Sequence, residues 1–228
     1  MKTQRVEMVI DGDFGLVTAH FWFTNGREEV KSIEIAEFLR CIRESTTETE
    51  SFFHIGTLPE GFYDGCVNMW TEASFKVVLT LPMKKRIMNY FGESFIIPFP
   101  DMAFFLEVKD GFLKESWVIA LDNGKTGKIH EKSVVCHYPF GNVHHDYKIC
   151  WGMNILPKVS KMEESNLYLE QFFGSETNMD LYRAPKGCPQ YTEQRGLIEA
   201  LFDKDLYPSE WLNHSSIKFG AMVKDFLA

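Results

Sequence analysis

Between Ala103 and Leu121 the chain runs Ala103-Phe104-Phe105-Leu106-Glu107-Val108, turns at Asp110-Gly111, and returns through Trp117-Val118-Ile119-Ala120-Leu121. Two short apolar runs rich in aromatic and β-branched residues, joined by a two-residue turn signal, read as paired strands. The link is too short for a parallel crossover, so the pairing is antiparallel. Upstream, Phe75-Lys76-Val77-Val78-Leu79-Thr80-Leu81 reads as a strand stopped by Pro82, and Phe95-Ile96-Ile97-Pro98-Phe99 as another. The simplest arrangement is an antiparallel meander. With 20 phenylalanines, 45% hydrophobic and 14% aromatic residues in 228, the chain can bury a substantial core.

Outward toward the N-terminus, Val6, Met8 and Ile10, then Leu16, Thr18, His20, Trp22 and Thr24, alternate around Asp11-Gly12-Asp13 as a hairpin that ends at Asn25-Gly26. Ile33, Ala36, Leu39 and Ile42 then recur at helical spacing, which predicts a helix capped by Ser32, followed by an exposed loop over Ser45–Ser51. Leu58-Pro59-Glu60-Gly61 reads as a turn. Asp122-Asn123-Gly124-Lys125-Thr126-Gly127 lacks the spacing of a phosphate-binding loop and reads as a hairpin tip. Toward the C-terminus, Glu163–Phe173, Gly196–Lys204 and Ile217–Leu227 carry helical patterns.

A formal net charge of −8, with no basic block longer than Lys84-Lys85-Arg86, gives no electrostatic footprint for nucleic acid. Five widely spaced cysteines fit a reducing compartment better than a disulfide framework. No apolar run has the length of an export signal or a membrane span, so a cytoplasmic protein with no membrane partner is expected. Cys41 and Cys66 read as packing or incidental residues, Cys188 as part of an exposed loop between Gly187 and Pro189, and Trp211 as core.

Chemistry concentrates in Cys136-His137-Tyr138-Pro139-Phe140-Gly141-Asn142-Val143-His144-His145-Asp146-Tyr147-Lys148-Ile149-Cys150-Trp151-Gly152, which holds two of the five cysteines and three of the seven histidines. Cys136, His137, His144, His145 and Cys150 are all ligand types for zinc. Their spacing lacks the paired intervals of structural zinc sites, and neighbours such as His144-His145 diverge on an extended backbone. No metal and no cofactor is therefore expected. A hydrolytic site would need one of these histidines to deprotonate Cys150, and the sequence marks no third group to orient it. A buried Cys150 that merely packs is the remaining alternative.

Asn142-Val143 precedes Ile149-Cys150-Trp151, and Asn142 lies eight residues before Cys150. This resembles the active-site stretch of ubiquitin-conjugating enzymes, where a His-Pro-Asn motif stands the same distance before the active cysteine. The stretch Phe75–Phe173, with Glu93–Pro100, the Asn142–Gly152 core and Phe172-Phe173, is similar to the prokaryotic family D of ubiquitin-conjugating-like proteins, which includes protein B of the PRTRC gene system. Phe140-Gly141 replaces His-Pro, so loop packing falls to other residues, His137 or His144 among them. Tyr147-Lys148 stands where a turn glycine is usual, and Trp151-Gly152 replaces Leu-Asp.

The resemblance implies an α+β fold, an antiparallel β-meander with flanking helices, elaborated by an N-terminal strand-helix unit. The expected division is 1–70 for that unit and 71–228 for the conjugating-enzyme-like domain. It further implies a carrier that holds a ubiquitin-like protein as a thioester on Cys150, with Asn142 as the second catalytic residue and His144, His145 or His137 as assisting groups. An adenylating activating enzyme, a ubiquitin-like protein and a JAB-type metalloprotease are the implied partners. A catalytically inactive binding module of the same fold is the alternative.

Overall fold

The computed structural model describes residues 3–11, 15–46, 57–68, 71–124 and 127–228. Contacts divide the chain into Met1–His54 and Ile55–Ala228, earlier than the expected boundary at residue 70. The first unit is a three-stranded antiparallel sheet, β1 (Thr3–Asp11), β2 (Leu16–Phe23) and β3 (Glu28–Glu34) in that order, followed by helix α1 (Ile35–Thr46). The expected hairpin is present, and Gly26 adopts φ 82° at its second turn. The Ser32 cap is overturned: Ser32 lies inside β3 opposite Thr18, with the two hydroxyls 2.9 Å apart. Pairing with β2 captures a run that has helical spacing only from Ile33 onward. Thr47–Ser51 of the expected loop lies outside the described residues, as does the Cys41 side chain.

In the second unit the strands are β4 (Phe62–Asn68), β5 (Thr71–Leu81), β6 (Lys84–Tyr90), β7 (Glu93–Phe99), β8 (Asp101–Lys109), β9 (Phe112–Asp122), β10 (Val134–His137), β11 (Glu176–Thr177) and β12 (Asn213–Lys218). Its helices are α2 (Asn166–Gly174), α3 (Gln194–Leu201) and α4 (Phe219–Leu227). The main sheet has the order β12-β10-β9-β8-β5-β4, antiparallel throughout. The meander is interrupted: after Pro82 the β6–β7 hairpin leaves the sheet, lets β5 pair directly with β8, and takes β11 as a parallel neighbour on β6. The expected hairpin tip is only the start of a longer connection, residues 123–133, between the antiparallel β9 and β10, with Gly124 N–H donating to Asp122 Oδ1 at 2.9 Å. Lys125-Thr126 lies outside the described residues.

Neighbouring residues of β5, β8 and β9 are buried on opposite faces, which explains the unbroken apolar runs. Phe75, Val77, Leu79, Phe104 and Leu106 pack with Met88, Ile97 and Phe99 of the hairpin, Tyr168 and Phe172 of α2, and Leu197, Ile198 and Leu201 of α3. Val78, Ala103, Phe105, Ile119 and Val135 form a second layer with Phe219 and Val223 of α4. Ring contacts knit the first layer, Phe172 standing edge-on to Phe104 at 5.3 Å and to Tyr138 at 5.5 Å. Among the described residues no helix is long and apolar enough to cross a membrane.

Candidate functional site

Cys150 owes its place to an unfinished sheet. Along β9 the four-residue β10 covers just the C-terminal end, Val134 opposite Asp122 and Cys136 opposite Ala120. The chain then departs for Tyr138–Asp146 and comes back to fill the empty edge. Val118 N–H donates to the Tyr147 carbonyl at 3.0 Å, Ile149 N–H donates to the Ser116 carbonyl at 3.0 Å, and Lys148 bridges to Trp117.

The excursion closes on itself as a hairpin. Val143 bridges antiparallel to Ile149, Cys150 N–H donates to the Asn142 carbonyl at 2.8 Å, and His144 N–H donates to the Lys148 carbonyl at 2.9 Å. The eight-residue interval therefore makes Asn142 and Cys150 cross-strand partners, with Cα atoms about 5 Å apart as in any antiparallel pair. Val143 and Ile149 are buried in the larger core and anchor the hairpin.

Two non-glycine residues of this hairpin lie in the left-handed region, Asn142 at φ 65° and Tyr147 at φ 71°. Asparagine tolerates that conformation; an aromatic residue holds it at a cost of about 1–2 kcal/mol. Tyr147 is held there by His137, whose ring stacks on it at 4.7 Å and 23°, and by packing against the α4 side of the sheet. Burial lowers the His137 pKa from 6.5, with the positive charges of Arg183 and Lys186 and the nearby His145 acting in the same direction.

The turn before Asn142 is clamped from elsewhere in the chain. Phe140 is 1% exposed, tilted against Phe99 and edge-on to Tyr138. Gly141 N–H donates to Gln194 Oε1 at 2.7 Å, and the Asn142 carboxamide donates to the Glu176 carbonyl at 2.9 Å. A Cβ at Gly141 would overlap the Asn178 carbonyl, so only glycine fits. Packing that the resemblance assigned to a histidine thus comes from Phe140 and Gln194. His144 is exposed and contributes backbone hydrogen bonds alone, and His137 braces the far turn at Tyr147.

Gln194 escaped the sequence reading, yet a signal was there. It occupies the buried stripe of α3 with Leu197, Ile198 and Leu201, at i, i+3, i+4 and i+7, as a lone amide on an apolar face. A polar side chain in that position must find partners.

The family model for prokaryotic E2 family D matches residues 57–215. The chain belongs to prokaryotic E2 family D. No curated protein and no solved structure matches it. The family D region takes in the meander, the Asn142–Cys150 hairpin and Gln194, and leaves the N-terminal sheet outside. An E2-like, ubiquitin-conjugation-related protein is thereby established, on a mixed α+β scaffold of mostly antiparallel sheets.

Within this family D domain Cys150 is a free, half-buried thiol. Downstream, Trp151 donates from its indole nitrogen to Ser116 Oγ at 2.9 Å and stands edge-on to Phe172. Asn154 closes a turn on the Trp151 carbonyl around Gly152 at φ 56°, leaving Met153 at 100% and Ile155 at 92% exposure. A shallow cleft of about 120 Å³ is lined by Ser116, Lys148, Ile149, Trp151 and Leu156, the chain neighbours of Cys150 among them and Cys150 itself not.

His144 and His145 are exposed, and among the described residues no histidine hydrogen-bonds the Cys150 thiol. Nor do three or more His, Cys, Asp or Glu side chains converge there as metal ligands would. Cys136 faces the core, where burial pushes its thiol up to about 12. Cys188 corrects the sequence reading: it is fully buried and its thiol is raised to about 11, because the loop around Gly187 presses so close to Glu210 that no Cβ would fit. Among the described cysteine side chains Cys66, on β4, is the exposed one. Trp211 packs against the core beside Tyr191 and Tyr207.

Proposed function

We propose that this protein accepts a ubiquitin-like protein as a thioester on Cys150 and passes it to an amine. The observation that carries the reading is the hairpin that sets a half-exposed Cys150 directly across from Asn142. In the first step the Cys150 thiolate attacks the carbonyl carbon of the modifier's C-terminal thioester on an adenylating activating enzyme. A new C–S bond forms, the old one breaks, and the activating enzyme's cysteine leaves as thiolate. In the second step an amine nitrogen attacks the same carbon, the Cys150 C–S bond breaks, and the nitrogen gives up a proton as the amide forms.

Both steps pass through a tetrahedral oxyanion. A carboxamide has two N–H donors. One from Asn142 is held by Glu176, and the other is the donor this reading assigns to the oxyanion. ATP is consumed by the activating enzyme, so the carrier needs no cofactor of its own. A JAB-type metalloprotease that removes the modifier completes a cytoplasmic pathway, and the resemblance to family D implies the PRTRC system as its setting.

A second reading, a catalytically silent module that docks the same partners, is favoured by the engagement of the Asn142 carboxamide with Glu176 and by the lack, among the described residues, of a histidine bonded to the thiol. The two separate on a non-reducing gel, with the activating enzyme, the ubiquitin-like protein and ATP present. The carrier forms an adduct that thiols cleave, that Cys150→Ala abolishes and that Cys150→Ser makes reductant-resistant; Asn142→Ala slows it by about 10²–10³-fold. No adduct with partners shown to be active leaves the docking module.

A further inference from the structure

We infer that Gln194 is a positioning residue for the reaction at Cys150, acting through Asn142. The inference rests on the carrier reading above for its chemistry and on geometry for its content. Gln194 has no exposed surface, and its carboxamide spans three segments. Its Oε1 accepts Gly141 N–H at 2.7 Å, while its Nε2 donates to Thr177 Oγ1 at 2.9 Å and approaches the Met88 sulfur at 3.7 Å. Thr177 in turn donates to the Asn89 carbonyl at 3.0 Å.

Two ties therefore hold the Gly141-Asn142 turn to the same short strand, β11. One is direct, from the Asn142 carboxamide to Glu176; the other runs from the Gly141 amide through Gln194 to Thr177. Since the Asn142 carbonyl receives the Cys150 N–H, the position of this turn sets where the carboxamide stands relative to the thiol. Gln194 touches no surface, so it contacts neither modifier nor activating enzyme. Its effect is confined to placement.

Gln194→Met keeps the volume and removes both hydrogen bonds. A misplacement of about 1 Å costs on the order of 100-fold in rate, so kcat for modifier transfer to Cys150 falls by about that factor while KM for the charged activating enzyme stays within about twofold. The Asn142→Ala effect shrinks to less than about threefold in the Gln194→Met background, because both substitutions act on one placement. Should Gln194→Met fail to fold, Thr177→Val keeps the backbone and removes the hydroxyl that accepts from Gln194 Nε2, loosening the same clamp from its other end.

Amide hydrogen exchange reads the clamp without any partner: the Gly141 and Cys150 amides, protected in the parent, exchange at least tenfold faster in the folded variant. A folded Gln194→Met protein with parental kcat, or rate effects of Gln194→Met and Asn142→Ala that simply multiply, overturns the inference. If the parent protein itself forms no adduct while its exchange pattern is as described, the carrier reading falls and the clamp on Asn142 stands; unaltered exchange at Gly141 and Cys150 sinks the clamp.

Discussion

Tyr147 offers a test in which the sign of an effect decides. Its φ of 71° lies where a side chain clashes with its own backbone, at a cost of about 1–2 kcal/mol, and where glycine sits freely. Tyr147→Ala and Tyr147→Gly remove the same ring, with its stack on His137 and its partial burial, a loss of roughly 2 kcal/mol in either case. They differ at the backbone. Alanine keeps the strain, whereas glycine releases it and gives back about 0.5–1 kcal/mol through the greater freedom of its unfolded chain. The glycine variant is thus the more stable by about 0.5–1 kcal/mol, against the usual order in which glycine is the less stable by a similar amount. Urea denaturation of the three proteins, compared at equal m values, measures the difference. An alanine variant as stable as the glycine variant, or more so, refutes the argument that Tyr147 is strained and held by its neighbours.

Two further outcomes follow from the side-chain environments. A short pulse of iodoacetamide on the native protein, mapped by mass spectrometry, modifies Cys66 and Cys150 and leaves Cys136 and Cys188 untouched until denaturant is added, because the latter two are fully buried with thiols raised to about 12 and about 11. The depressed pKa of His137 makes the folded protein favour the neutral ring. Its contribution to stability is present in full above the unfolded value of about 6.5 and is lost as pH falls through the lower folded value, so the pH 7-to-5 decline in urea midpoint is shallower in His137→Gln.

The parts of the fold that could be read from sequence are those whose residues carry their burial with them. β5, β8 and β9 are covered on both faces, and their unbroken Phe, Val, Ile and Leu runs announce it. β3 and β12 are edge strands, Glu-Glu-Val-Lys-Ser-Ile-Glu and Asn-His-Ser-Ser-Ile-Lys, whose composition carries little strand signal. They are strands because β2 and β10 present unpaired edges to them, a fact of three dimensions. The exit of β6–β7 from the meander belongs to the same class, as does the burial of Cys188 beneath a loop that looks exposed in sequence.

The site divides along the same line. Asn142 and Cys150 were legible because hairpin register is written in sequence separation. With Val143 opposite Ile149, adding or deleting one residue between them would move Cys150 off its place across from Asn142 and turn its side chain to the other face. Register constrains the interval and leaves the identities of the intervening residues open, provided something else fixes the turns. Here the turn glycine is replaced by a strained tyrosine held by His137, and the His-Pro pair by Phe140-Gly141 held through Gln194, which lies 53 residues downstream of Gly141. The spacing stays and the local motif goes, since the restraints that a motif would supply from within the loop are supplied from β10 and α3. A search keyed to the motif residues would pass over this loop; one keyed to the interval and to a buried polar residue on a following helix would find it.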